Sequence, residues 1–456
     1  MGAIMNKKVI AIILIVIIIA VVGIYLALTL YGHTKTKLVI ITRLSPEESE
    51  ALRKAFLASD IAKKYNIADV EFRKLDYALW RDLATSGDVD LFLIGEVPIY
   101  SSMCEEGLLK AMDMKEIIEI ASKLDSSLIG KDKNGNICWL AIGRAVYGYI
   151  LNKDFIKQYN LSEPKKWADI SDPKFSMSIL KDAPPISFPL PSKSGTAKTI
   201  VHAILQKYGW EYGWEILTSI GALSRIVDSS EKARDEAAEG IAALAPAYIG
   251  YGILAENVSK GKAIFIVPEG EGVMYISPVA IAKNTKHSQE AQAFILWLLS
   301  DEGQRTIARL FYYIPVRPIE NIEWAKRFYG SIKELTFDYN RELAKTIDFS
   351  VIYYFEAAIA DPDCNAKLKE IWRILLEKII KNEINEQQFE DYIKKIGAPL
   401  VIIDPITGKS TPFTIDYAKS INDNITKDPA LRDKFINNVK SAALERYDGI
   451  LKELRG

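Results

Sequence analysis

Between residues 37 and 282 short apolar strands alternate with amphipathic helices, and this alternation limits the fold more than any other feature of the chain. The run KLVIIT at residues 37–42 reads as a buried first strand. Ser45-Pro46 followed by Glu47 and Glu48 then opens a helix, expected to reach about Tyr65, with acids where the helix dipole favours them. Residues 70–75 read as a strand, residues 77–85 as a helix and residues 89–94 as a further apolar strand. Such alternation makes an α/β fold with a mainly parallel sheet covered on both faces. Ligands of these sheets sit beyond the carboxyl ends of the strands, which makes Thr42, Arg43, Gly95 and Glu96 a candidate rim.

The stretch at residues 183–209, APPISFPLPSKSGTAKTIVHAILQKYG, runs a proline-broken loop into an amphipathic helix. Gly195 is expected to let the backbone turn tightly, and Ser194 or Thr196 to cap the helix. The unpaired N–H groups of a first helical turn attract an anion, although a plain capped helix accounts for the same residues. Residues 137–151 read as a strand crossing from one lobe to another, and residues 275–282 as a strand returning. Residues 229–239 are charged and helical, and residues 288–308 read as one long helix with Ala291, Phe294, Ile295, Leu298 and Leu299 on its apolar face. Set between the two crossing strands, the loop at residues 192–196 is the expected ligand-facing edge of the second lobe.

Across 456 residues, 59 acids nearly cancel 58 bases, and no basic stripe interleaved with aromatics appears, which argues against nucleic acid as a partner. Residues 9–31 carry no charge and would span about 35 Å as a helix, enough to cross a hydrocarbon core of ~30 Å. This run is read as an uncleaved membrane anchor. Lys7 and Lys8 before it are matched by Lys35, Lys37 and Arg43 after it, so charge alone does not orient it. Sequons at Asn160, Asn257 and Asn424 are compatible with a body on the extracytoplasmic side of the cell membrane. Cys104, Cys138 and Cys364 are too few for a disulfide framework, leaving one disulfide open. The histidines are His33, His202 and His287, scattered along the chain, and no Walker-type loop, GxGxxG fingerprint or metal-ligand cluster is present. The sequence therefore calls for no enzyme activity, no metal and no cofactor.

The motifs DVDLFLIG at residues 88–95, EEGLL at 105–109, YILNKD at 149–154, PKKW at 164–167, SGT at 194–196, PVAI at 278–281 and LLSDEGQ at 298–304 occur in a telling order. That order resembles extracellular solute-binding proteins of ABC transporters, in the branch that includes ferric-iron, thiamine and phosphate-ester binders. The resemblance implies a type II periplasmic-binding-protein fold, with two α/β lobes that close over a small polar or anionic ligand and deliver it to ABC transporter permease subunits. With residues 1–37 as anchor and linker, it implies lobe one over 38–150 and 275–381. Lobe two would take 151–274, whereas residues 382–456 match no part of the family and read as a mostly helical extension of lobe one. Ser192, Ser194, Gly195 and Thr196 match the family's anion-binding loop. Thr42, Arg43, Glu96, Arg144, Tyr147, Tyr248 and Tyr251 are the remaining cleft candidates, the arginines because they can hold an oxyanion bidentately. Ferric binders of the branch carry adjacent tyrosines where this chain has Ala247-Tyr248-Ile249, which argues against iron. A sensor or cell-surface assembly component, with residues 382–456 as its contact, is the alternative.

Overall fold

A computed structural model describes residues 35–456, so the apolar run at residues 9–31 lies outside the described residues. Among the described residues no helix is long and apolar enough to cross a membrane. The chain divides into two units. The first takes residues up to Gly143 with Ile276–Phe311 and Pro315–Ile319, and the second takes Arg144–Tyr275, Tyr312–Ile314 and Glu320–Gly456.

In the first unit β1 (Thr36–Thr42) lies parallel to both β2 (Ile67–Lys74) and β3 (Leu91–Leu93). The strand β11 (Val273–Ala282) adds antiparallel to β3, and β4 (Leu109–Lys110) adds antiparallel to β11. The fully buried Trp80 stacks on Phe92 at 5.0 Å and meets Tyr100 edge-on at 5.7 Å, filling one face of this sheet. A disulfide joins Cys104, in the helix Val97–Glu105, to Cys138 at the start of β6 (Ile137–Asn152), which pairs antiparallel with the short β5 (Ile129–Lys131). Two helices expected to be continuous are each broken by a serine. Ser59 takes an extended conformation after Pro46–Ala58, and its hydroxyl accepts the Ala62 N–H at 3.2 Å to start a new short helix. Ser300 does the same after Ser288–Leu299, accepting from Gly303 N at 3.1 Å. In both cases a short polar side chain offers the backbone an alternative to the next helical turn.

The second unit is built on the far half of β6, which pairs antiparallel with β9 (Leu244–Tyr248) and β10 (Ala263–Ile266). Beyond β9, β7 (Ile186–Pro189) runs parallel to it and to β8 (Ser224–Val227). The period of two along β6 sends Tyr149 and Leu151 into one apolar core and Ile150 into another on the opposite face.

Residues 320–381, expected to complete lobe one, belong to the second unit, and the extension at 382–456 packs there as well. The cause is the helix Trp210–Ala222, whose residues are almost all buried. Trp214 lies 4.5 Å from Tyr354, Tyr354 stacks on Phe413 at 3.9 Å, and the Trp210 indole N–H donates to the Phe413 carbonyl at 2.6 Å. Two glycines permit the contact: a Cβ on Gly221 would lie 1.9 Å from Ile359, and one on Gly397 would lie 2.4 Å from the Glu215 backbone. One continuous core therefore runs from Tyr149 to Leu454. Phe413→Ala should lower unfolding free energy by ~3–5 kcal/mol, the range for truncating a buried aromatic, as read by urea denaturation. A chain ending before residue 382 should lose cooperative unfolding of the second unit. Retention of a sharp transition by the shortened chain would contradict this packing.

Candidate ligand-binding site

Because β7, β8 and β9 are parallel, they end at one edge of the sheet, and each leads into a helix whose N-terminus starts there: Gly195–Tyr208, Ser230–Glu239 and Ile249–Val258. Carboxyl ends of parallel strands, followed directly by helix N-termini, are where α/β sheets take ligands.

A run of contacts ties these three starts together. Ser194 caps the Gly195 helix by accepting the Ala197 N–H at 3.0 Å, and its hydroxyl meets that of Ser230 at 2.5 Å. Next to Ser230, the Glu231 carboxylate accepts the Tyr251 hydroxyl. The Tyr251 ring lies 4.6 Å from Tyr248, and Tyr248 lies 6.5 Å from Tyr147 on β6. Thr199, one turn into the Gly195 helix, donates its hydroxyl to the Gly195 carbonyl at 2.8 Å. Burial raises the Tyr147 hydroxyl above its ordinary value, opposed by the nearby positive charge of Arg341 and by the Thr199 hydrogen bond. Arg341 itself donates to the Met274 carbonyl at 2.9 Å.

Charge differs between the helix ends. The Ser230 helix carries Glu231 in its first turn, and its carboxyl is held below the usual range by the Tyr251 hydroxyl and by its own backbone N–H. The Gly195 helix has no acid in its first turn, so its positive end is not neutralised by its own sequence.

Of the predicted loop, Ser194 and Thr196 are buried while Ser192 and Gly195 are exposed. The Ser192 N–H donates to the Glu356 carboxylate at 2.8 Å, which ties the loop to the C-terminal helices. Gly195 does not have the expected role. Its φ lies outside the left-handed region and a Cβ there would meet nothing within 4 Å, so the turn does not require glycine. Arg144 lies on β6 in the same unit, its main chain paired with Ile314 at 2.9 and 2.7 Å.

Thr42, Arg43 and Glu96 belong to the first unit, where they gather at the carboxyl ends of β1 and β3. Thr42 is buried and accepts the Leu44 N–H at 3.2 Å. Arg43 donates to the Leu75 carbonyl at 3.2 Å and places its guanidinium 5.1 Å from the centre of the Tyr77 ring. Burial raises the Tyr77 hydroxyl, as does the Glu96 carboxylate, while Arg43 opposes the rise, so one phenol joins both predicted charges. Ile94, just before Gly95 and Glu96, has φ 57°, a strained conformation for a β-branched residue. Tyr77, Ser230, Glu231, Thr199, Arg341 and Glu356 were not among the expected site residues. The Ser229–Glu231 cap is a signal that could have found two of them.

Two α/β units joined by crossing strands, with helix N-termini gathered at a carboxyl edge, define a binding protein of the periplasmic type. The family model described as bacterial extracellular solute-binding protein matches residues 86–330, more than half of the chain, and the chain belongs to that family. It is 28% identical over 230 residues to the phosphoglycerate transport regulatory protein PgtC of Salmonella typhimurium. The match covers 50% of this chain and 53% of that protein, so the chain spans about half the length of these curated relatives. Among solved structures, a candidate extracellular solute-binding protein from Bordetella parapertussis is 17% identical, covering 71% of this chain and 98% of that one, with TM-score 0.54. Apo ferric ion-binding protein A of Pasteurella haemolytica is 16% identical, covering 71% and 98%, with TM-score 0.50. These likenesses are of fold, the two-lobed α/β fold of type II periplasmic binding proteins.

The helix Gly195–Tyr208 is anchored two turns beyond its cap. Buried His202 contacts the Asp348 carboxylate through Nε2 at 3.0 Å, and the Lys198 ammonium contacts it at 2.7 Å. Burial raises the Asp348 carboxyl, and the two hydrogen bonds outweigh burial and leave it below its ordinary 3.8. A depressed folded-state value stabilises the protein above the ordinary value and is lost as pH falls through the folded one. Asp348→Asn should therefore cost ~1.5–3 kcal/mol at pH 7, the range for a hydrogen bond to a charged group. The difference from the parent should shrink below about pH 4 in thermal unfolding, and a difference independent of pH would contradict the assignment.

Proposed function

We propose that the chain captures a small polar or anionic solute on the extracytoplasmic side of the membrane and delivers it to the permease of an ABC transporter, with residues 9–31 as its anchor. The observation that carries this reading is the start of the Gly195 helix, which has no acid in its own first turn, beside the Ser194–Ser230 hydroxyl pair and within a rim of three tyrosines. Preorganised N–H and O–H donors at such a point suit the oxygens of an anion. Thr42, Arg43 and Glu96 are the contacts proposed in the first unit, and Ser192, Thr196, Arg144 and Tyr248 the further contacts in the second. The disulfide between Cys104 and Cys138 supports an oxidising compartment. The Salmonella relative named for phosphoglycerate transport makes a phosphorylated three-carbon acid the first solute to try.

The same relative is named a regulatory protein, which favours a second reading: a sensor that reports the solute to a partner instead of handing it on. Co-purification with a permease and its ATPase supports delivery, and co-purification with a signalling protein supports sensing.

A ligand that binds only the folded chain raises its melting temperature, by an amount equivalent to ~2.7 kcal/mol at one hundred times its Kd. Among 3-phosphoglycerate, inorganic phosphate, thiamine, sulfonates, polyamines and sugars, 3-phosphoglycerate should give the largest shift. By calorimetry Ser194→Ala should weaken its binding about tenfold, the loss of one charge-assisted hydrogen bond, with the circular dichroism spectrum unchanged. If no compound in the set shifts the melting temperature, the solute-binding reading of this site fails. If only a sugar or a polyamine does, the anionic solute is wrong.

A further inference from the structure

Behind the loop that carries Ser192, the second unit contains a cavity of about 680 Å³. That volume lies within the ~300–1,000 Å³ typical of small-molecule sites. Leu190, Ile226, Tyr353 and Ile436 give it an apolar wall, and a π-helical turn, Glu356–Ala360, contributes Glu356 and Ala360. Single turns of this kind occur frequently at functional sites.

Lys369 also lines the cavity. Burial lowers its ammonium below the ordinary value, and repulsion from Arg225 and Arg373 adds to the effect. Those two arginines are paired, with Glu236 and Asp182 respectively, whereas Lys369 has no carboxylate partner among the described residues. The two carboxylates on the wall are already engaged. Glu356 accepts the Ser192 N–H, and Asp361 accepts N–H groups of its own helix and pairs with Lys440 at 2.9 Å. A half-buried cation without a counter-charge, facing an apolar wall, calls for an anion with an apolar tail. Two resident carboxylates disfavour a dianion, so a single negative charge fits best.

We propose that this cavity is a second binding site, for a small amphipathic carboxylate whose head pairs with Lys369 and whose chain lies against Leu190, Ile226, Tyr353 and Ile436. Its occupant also bears on the Ser192 loop. Leu190, two residues before Ser192, lines the cavity itself, and the Glu356 carboxylate that holds the Ser192 N–H lines it too, so the loop's entry is tied to the cavity at two points. Binding in the cavity is independent of the solute reading, and its effect on solute affinity rests on that reading.

Titration calorimetry of the full-length chain with octanoate, with octanol as the neutral homologue, tests the site. Octanoate should bind saturably, about tenfold more weakly to Lys369→Gln, as expected for one lost charge-assisted contact. Binding should be preserved in Lys369→Arg and abolished in Ala366→Trp, which fills the cavity from its exposed side. Octanol should bind at least tenfold more weakly than octanoate. No octanoate binding to the parent chain, or equal affinity in the parent, Lys369→Gln and Ala366→Trp, would overturn the site. Amide hydrogen exchange tests the coupling: octanoate should slow exchange at Ser192 in the parent chain and leave it unchanged in Glu356→Ala. Unaltered exchange at Ser192 with octanoate bound would overturn the coupling and leave both sites standing.

Discussion

The stacking of Tyr354 on Phe413, with Trp214 packed against both, is the contact on which the second unit depends. It brings together residues from three separate stretches of chain and buries them in one core, so the last third of the sequence becomes part of the unit that holds the candidate site. Large aromatics supply more buried area per residue than any other side chains. Their consequence here is positional. With Tyr354 fixed, the π-helical turn that follows presents Glu356 to the Ser192 N–H, and the loop before the Gly195 helix is held from behind.

The front of the loop is governed by strand direction. Three parallel strands deliver three helix starts to one edge, and the side chains there treat those starts differently. Glu231 answers the positive end of its own helix and is fixed by Tyr251. Ser194 satisfies one N–H of the Gly195 helix as a neutral cap and leaves that end without a negative charge of its own sequence. Capping and ligand binding are therefore compatible at Ser194, because a hydroxyl that accepts from Ala197 and meets Ser230 still leaves a positive helix end for an anion. In the first unit Arg43 lies over the Tyr77 ring at the end of β1, and the Glu96 carboxylate beyond β3 raises the Tyr77 hydroxyl.

Local patterns were legible in the sequence. The strand expected at residues 137–151 is β6, that expected at 275–282 is the far part of β11, and the helix expected after Ser194 runs to Tyr208 with a serine cap. These follow from period-two and period-3.6 patterns that neighbouring residues carry by themselves. The breaks at Ser59 and Ser300 were missed because apolar periodicity continues across them, and only the serine side chain decides the break. Glu356, Arg341 and Tyr77 had no local signal. Each acts through a partner far away in the chain or through a ring whose neighbours are set by folding, as with Glu356 and Ser192, separated by 164 positions. The assignment of residues 320–456 failed for the same reason: amphipathic helices announce an apolar face and do not say which core will cover it. Glycine at position 195 suggests a turn by residue type alone, whereas its backbone is ordinary.

The central claim is that the start of the Gly195 helix, with Ser194 and Thr196, is where the second unit holds its solute. A crystal structure of the protein grown with 3-phosphoglycerate tests it most directly. The account predicts density for phosphate or carboxylate oxygens within hydrogen-bonding distance, roughly 2.7–3.2 Å, of the Ser194 or Thr196 hydroxyl and of the first N–H groups of that helix. Ordered solute density elsewhere in the second unit, with the helix start occupied by water alone, would contradict it.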